Sequence, residues 1–294
     1  MKRSVRASLL GYAFILPCLF ILFAMMLNPI LKTVIFSFSK IKLPQFHTTF
    51  NGFNNYHDLL ARPEIGTVAL NTVVWTLGTM ILRFVLGMWG AIVVNTSFRG
   101  RRIWQTLILL PWTVPSIVAT NIWRWMLQGD FGMVTSTLQS WGLSGLARHW
   151  LSDPTTAMQS VMVAYAWAGF PFVMLMLLAG MQAIPEEQYD AGKIDGADNI
   201  QLFLHITLPG LRSIIVVVLL LEMISGLNSF DFLFVMTGGG PGGVSEVLGL
   251  LIYRIGFSNL NFGVASAAAI ILIAAVMGGF LFYVPASARQ RGGN

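Results

Sequence analysis

The sequence predicts an all-α integral membrane protein with six transmembrane helices and one acidic cytoplasmic loop between the fourth and the fifth. Three observations carry that prediction. The chain of 294 residues is 55% hydrophobic and only 10% charged, whereas a soluble domain carries roughly 25% charged residues. Its mean hydropathy is +0.72. Its apolar runs have the length that a membrane crossing requires, about 20 residues each.

The spans follow in order. Residues 1–8 form a positive N-terminus with Lys2, Arg3 and Arg6. The first span is placed at about 9–39. Its uncharged stretch, 7–31, is too long for a signal-peptide core of roughly 7–15 residues, so it reads as a retained anchor. The second span, 66–96, contains Arg83. The third, 103–127, ends in Trp123 and Trp125, which fit an aromatic belt with Arg124 snorkelling between them. The fourth, 155–182, lies in an uncharged run. The fifth, 212–236, contains Glu222 and Asp231. The sixth, 263–286, is again uncharged, and a tail of 287–294 follows. No strong repeat or low-complexity linker divides 9–286, so one membrane domain is the simplest partition.

Six spans place both termini on one side. That side holds Lys2, Arg3, Arg6, Arg99, Arg101, Arg102, Lys193, Arg212, Arg289 and Arg291. The loops 40–66, 128–154 and 237–262 hold Lys40, Lys42, Arg62, Arg148 and Arg254, half as many over more residues. The positive-inside rule then puts the termini and the 186–209 loop in the cytoplasm.

The same placement accounts for the net charge of +6. The positive residues flank apolar runs and form no basic cluster with interleaved aromatics, so nucleic acid is not expected as a partner. Cys18 is the one cysteine and sits in an apolar run as a small packing residue. His47, His57, His149 and His205 have no metal-ligand spacing.

The loop "EEQYDAGKIDGADNIQLFLHITLP" concentrates five of the 12 acidic residues, Glu186, Glu187, Asp190, Asp195 and Asp198. Pro185 suits a helix start, and Glu186 and Glu187 then favour the positive end of the helix dipole. Asp190 and Lys193 fall on one face. Gly192 and Gly196 weaken the helix, so the spacing predicts a short helix, a turn near "IDGAD" and a second short helix. Ala191, Ile194, Ala197, Ile200 and Phe203 recur every three positions. This greasy face suits either a connector lying on its own bundle or a plug for a partner.

The stretch resembles the EAA loop of ABC importer permeases, E-A-A-x-x-D-G-A with a later proline. Asp190, Ala191 and Gly192 stand at the three leading positions, Asp195, Gly196 and Ala197 at D-G-A, and Pro209 closes it. "IPEEQYDAGKIDGA" and "FLHITLPGL" resemble the carbohydrate-uptake branch, the relatives of maltose and glycerol-3-phosphate permeases. So do "FILPCLFILFAMMLNPILKTVIFSFS", "WAGFPFVMLMLLAGMQAIP" and "NSFDFLFVMTGGGPGGVSEVLGLLIYRIGF", and the likeness runs along nearly the whole chain. Two positions depart from it: Asp190 replaces glutamate and Gly192 replaces alanine.

The resemblance implies a coupling helix over 186–198 that docks into a cytoplasmic ATPase subunit. It implies a second homologous permease, two ATP-binding cassette subunits, and a periplasmic or extracellular substrate-binding protein. ATP and Mg are then bound by the partner ATPase subunits, with no cofactor in this chain. Consistent with that, G-x-x-x-x-G-K-[ST] is absent. "GGGPGG" satisfies G-x-G-x-x-G through Gly238, Gly240 and Gly243, but follows a membrane helix rather than a strand, and reads as a turn.

Charges inside spans are costly and mark a pair or a pathway. Arg83 lies about 13 residues from the inner end of span two and Glu222 about 10 from the inner end of span five. At about 1.5 Å per residue, these depths are roughly 20 and 15 Å. They form a structural pair or line a substrate cavity. Asp231, closer to the outer face, reads as a solvated carboxylate. By the resemblance, the sugar contacts fall at Tyr165, Ala168, Gly169, Phe172, Glu222, Ser225, Gly226 and Ser229. Aromatic and hydroxyl side chains suit a sugar, although glycine and serine also serve plain helix packing. The reading is therefore an ATP-driven importer permease for a carbohydrate or polyol, working by alternating access. Its rival is an ion-gradient-driven transporter using Glu222. An enzyme has no catalytic constellation to stand on.

Overall fold

The computed structural model describes residues 2–42 and 47–288, with side chains from Tyr12 to Gly278 except at 13 and 42–46. Arg289 and Arg291 of the positive tail lie outside the described residues. The chain is mostly helical.

Helix α1 (Lys2–Ser37) leads into a two-stranded antiparallel hairpin, β1 (Ser39–Lys42) and β2 (His47–Phe50), with Ser39 opposite Phe50. Helix α2 is Asn54–Leu60 and α3 is Ile65–Asn95. Then come α4 (Arg101–Thr113), α5 (Ser116–Met126) and α6 (Met133–Ser140), followed by the long α7 (Ala157–Gln182). The loop region holds α8 (Glu186–Ile194), α9 (Asn199–Leu202), a wide turn at Phe203–Thr207 and α10 (Leu208–Gly210). Helices α11 (Arg212–Leu227), α12 (Phe230–Met236), α13 (Leu248–Tyr253) and α14 (Phe262–Ala288) complete the chain.

Among the described residues, three helical stretches are long and apolar enough to cross a membrane unbroken: Phe14–Ser37, Ile65–Asn95 and Ala157–Gln182. Two bent pairs qualify only together. Arg101–Thr113 meets Ser116–Met126 at 94°, and Asn199–Gly210 meets Arg212–Leu227 at 69°. The stretch expected as the third span, 103–127, is thus two helices with a sharp bend between them. Pro111 sits in the last turn of α4 and Pro115 caps α5, and Val114 before Pro115 takes an extended conformation, which a following proline favours. The fifth span expected at 212–236 is likewise interrupted at Asn228 and Ser229, between α11 and α12. The wholly helical expectation also missed the hairpin, whose alternating short polar stretch carries no strong strand pattern.

The chain contacts fall into two compact units, one of residues up to Ile65 with Leu251–Met277 and the other built on Gly66–Leu250. In the first, Asn55 is buried and its Nδ2 donates to Ser37 O and Ser39 O at 2.9 Å each, tying α2 to the end of α1. The rings of Phe38, Phe53 and Tyr56 cluster beside it. The Phe14–Ser37 part of α1 keeps almost none of its apolar surface covered, with Phe14 81% and Phe20 70% exposed. Such a surface requires an apolar surrounding, lipid or another helix.

In the second unit α3 and α7 run through two apolar clusters. One joins Trp75, Met158, Val161 and Tyr165 to Ala119 of α5 and Phe232 and Leu233 of α12. The other joins Met88, Ala91, Val173 and Leu177 to Leu211 and Val218 at the α11 end. Asp153 organises the start of α7. Its carboxylate accepts from the Thr155 N–H and hydroxyl at 2.8 and 2.7 Å, and that backbone hydrogen bond first, then the hydroxyl, holds it below the usual carboxylate range. "GGGPGG" forms a tight turn with positive φ at Gly238, Gly239, Gly242 and Gly243. Asn71 Nδ2 pins it by donating to Gly243 O and Glu246 O.

Candidate functional sites: a loop knob and a polar cavity

Helix α8 begins at Pro185 and carries Glu186 and Glu187 in its first turn. Lys193 Nζ donates to Asp190 Oδ1 at 3.1 Å on an exposed face, a pair worth about 0.3–0.5 kcal/mol at most. The helix ends in a left-handed cap. Gly196 has φ +83, the Ala197 N–H returns to Gly192 O at 2.9 Å and the Gly196 N–H to Lys193 O at 3.1 Å. These two bonds satisfy carbonyls that a helix end otherwise leaves bare. Asp198 then caps α9 reciprocally: Gln201 N donates to Asp198 Oδ1 at 2.8 Å and Asp198 N to Gln201 Oε1 at 2.9 Å. Acidic residues therefore have three local tasks here, at a helix start, in a surface pair and at a cap.

The knob folds back on the chain through Tyr189, whose hydroxyl meets Thr207 Oγ1 at 3.0 Å, and through Gly192. A Cβ at Gly192 would stand 2.7 Å from Leu202 Cδ2 and 3.1 Å from Ile206 Cδ1, so alanine fits there only if the tip of Leu202 shifts. Gly192→Ala is expected to change stability by under about 1 kcal/mol, because better helix propensity offsets a shift of Leu202. Gly192→Leu is expected to cost about 1–3 kcal/mol by overpacking. Thermal unfolding of the purified complex reads both.

The face read from the three-residue repeat is not the one that packs. Ala191 is exposed, Ile194 is 85% and Ile200 69% exposed, and only Ala197 and Phe203 are partly covered. Tyr189, Gly192, Leu202 and Ile206 point inward instead. The repeat ran across the turn at Gly196, where the helical period breaks.

The second site lies in the unit of Gly66–Leu250. Arg83 on α3 is 5% exposed and Glu222 on α11 is 3% exposed, and they meet with Nη1–Oε2 at 3.0 Å. Arg83 Nη1 also donates to Ser225 Oγ at 3.2 Å, and its Nε and Nη2 both donate to Tyr165 O, at 3.1 and 2.8 Å. The guanidinium carbon lies 3.5 Å from the centre of the Tyr165 ring. The Tyr165 hydroxyl donates to Ser225 O at 2.8 Å. Beside this network Trp75 Nε1 donates to Ser229 Oγ at 2.6 Å and to Gly226 O at 3.0 Å, holding the break between α11 and α12.

A cavity of about 560 Å³ opens against these residues. Tyr165, Ala168, Gly169, Phe172, Glu222, Ser225 and Ser229 line it. Gly226 does not: it serves the Trp75 bond. Asp231, read from sequence as a carboxylate in outer-face water, is half-buried and lines this cavity, because the break at Asn228 and Ser229 turns the first turn of α12 inward. Sequence reasoning missed Trp112, Ser116 and Asn228 among the lining residues. The two prolines at 111 and 115 were the available signal for the first pair, since a broken membrane helix lines a cavity rather than lipid. Trp112 lies 5.9 Å from Phe172, ring to ring. The cavity offers aromatic faces and hydroxyl, amide and carboxylate groups, which is what a polyhydroxylated ligand requires.

Gly169 makes room for the ion pair, since a Cβ there would overlap the Arg83 guanidinium. Gly169→Ala is expected to displace Arg83 from Tyr165 O and cost about 1.5–3 kcal/mol, as for a lost charged hydrogen bond. A lowered thermal midpoint of the solubilised complex would register it, and an unchanged midpoint would contradict the packing.

Membrane-length helices, one bent pair of them flanking a polar cavity, together with an exposed loop knob define a membrane transport subunit. The chain belongs to the family of binding-protein-dependent transport system inner membrane components, whose profile matches residues 83–290. It is 33% identical over 284 residues to the trehalose/maltose transport system permease protein MalF of Thermococcus litoralis, covering 96% of this chain and 95% of that one. It is 32% identical over 270 residues to the sulfoquinovosyl glycerol transport system permease protein SmoG of Agrobacterium fabrum, covering 92% and 87%. Among solved structures, it resembles a chain of a bacterial ABC transporter involved in the import of the acidic polysaccharide alginate. That likeness has a TM-score of 0.85 over 98% of both chains at 22% identity, and is one of fold.

Proposed function

We propose that the chain is one of two homologous permeases in an ATP-driven importer for a carbohydrate or related polyol. Two ATP-binding cassette subunits bind ATP and Mg in the cytoplasm, and a periplasmic or extracellular binding protein delivers cargo to loops 40–66, 128–154 and 237–262. The chain crosses the inner membrane six times with both termini cytoplasmic. Glu186, Glu187, Asp190, Ala191, Ile194, Asp195, Gly196 and Ala197 dock on an ATPase subunit, and its nucleotide cycle rocks the helices around the cavity.

The observation that carries this reading is the 33% identity to a trehalose/maltose permease over 96% of the chain. The uncovered Ile194 and Ile200 support the docking step, because an exposed apolar knob among carboxylates is costly unless a partner covers it. The ion-gradient alternative needs a carboxylate free to take up a proton or sodium within a span. Glu222 is engaged by Arg83, so it is not poised for that task.

Uptake into proteoliposomes containing both permeases and the ATPase subunits, with the binding protein outside, tests the reading. Uptake is expected to stop when the catalytic glutamate of the ATPase is replaced, and to persist with an uncoupler. The opposite pattern would establish the secondary transporter.

A further inference from the structure

The geometry points to an uncharged glycoside as the cargo: the cavity carries one neutralised cation and one free carboxylate, so it receives hydroxyls and rejects carboxylate, sulfonate and phosphate groups. The inference deepens the carbohydrate reading above and rests on it.

Among the described residues Arg83 is the one cationic residue lining the cavity, and it is already committed. A guanidinium has five N–H donors in a fixed fork. Here four bonds engage all three nitrogens, to Tyr165 O twice, to Glu222 and to Ser225. The Tyr165 ring covers one face, and the residue is 5% exposed. Two-pronged capture of a carboxylate or sulfonate needs a free edge of that fork, and none is left. An anion that took the edge would evict Glu222 and leave it bare at 3% exposure.

Asp231 tips the balance further. It lines the same cavity and has no ion-pair partner among the described residues. With Arg83 and Glu222 cancelling, the lining that this chain's described residues supply carries one net negative charge. The N-terminus of α5 presents Ser116 to the cavity, but a helix end contributes only about half a positive charge. At roughly 6 Å and an effective dielectric of about 20, two like charges disfavour occupancy on the order of a hundredfold. Neutral hydroxyls meet the opposite situation, since Asp231, Ser116, Ser225 and Asn228 offer acceptors and donors beside the faces of Trp112 and Phe172.

The test is saturation-transfer NMR on the assembled importer, both permeases with the ATPase subunits, without the binding protein. The probes are matched pairs: trehalose, cellobiose and maltotriose, each against its uronate, 6-sulfonate and 6-phosphate counterpart. Within each pair the neutral sugar is expected to bind about a hundredfold tighter. Asp231→Asn is expected to close most of that gap, to within a few-fold, and Asp231→Lys to reverse it. An acidic probe that binds as well as its neutral partner, or a gap untouched by both Asp231 variants, overturns the inference while leaving sugar uptake standing. Binding of none of the probes overturns the carbohydrate reading, and the inference falls with it.

Discussion

Glu222→Ala is expected to destabilise the assembled permease by about 3–5 kcal/mol, the cost of stranding one partner of a buried ion pair. Arg83 would then keep its charge at 5% exposure, with only Tyr165 O and Ser225 Oγ to accept from it. The double variant Arg83→Leu, Glu222→Leu is expected to recover most of the loss, because two apolar side chains need neither desolvation nor pairing. The thermal midpoint of detergent-solubilised complex, followed by size-exclusion fluorescence, measures both. A single variant as stable as wild type would mean that water or lipid headgroups already reach Arg83. A double variant that assembles but transports poorly would separate the two roles of these residues, since both also line the cavity.

Gly196→Trp is expected to leave folding largely intact and to lower uptake at least about tenfold, the effect of losing some 1.4 kcal/mol of docking. The reasoning is local. At φ +83 a side chain costs roughly 1–2 kcal/mol, yet a Cβ there meets nothing within 4 Å. The strain distorts only the turn, and the bulk points outward to where an ATPase subunit would sit. Gly196→Asn is the control, because asparagine tolerates the left-handed cap and adds little volume. Uptake retained by Asn and lost by Trp, with ATPase activity no longer stimulated by loaded binding protein, is the expected pattern. Full uptake by Gly196→Trp would remove the knob from the docking surface.

Both predictions concern residues visible in the sequence, and they were legible for different reasons. Arg83 and Glu222 stand out because a charge within an apolar run is rare, and equal depth suggests a meeting. Gly196 stands out as the break in an acidic helix. Trp112, Ser116 and Asn228 did not stand out, since an aromatic, a hydroxyl or an amide in a membrane run also fits packing or an interfacial belt. Their role depends on where the two spans break. Asp231 was visible as a charge near the end of a span, but not as a cavity residue, because that depends on the turn of the chain at Asn228.

Composition and apolar run length were enough to establish membrane residence, helical class and the acidic connector, since each depends on local transfer energies and a 1.5 Å rise per residue. Which face of the connector lies inward, why Gly192 cannot be alanine without adjustment, and which polar groups share a cavity were decided by packing alone. Those features depend on the distance between residues far apart in the chain, such as Arg83 and Glu222, 139 positions apart, and no local pattern records a distance of that kind.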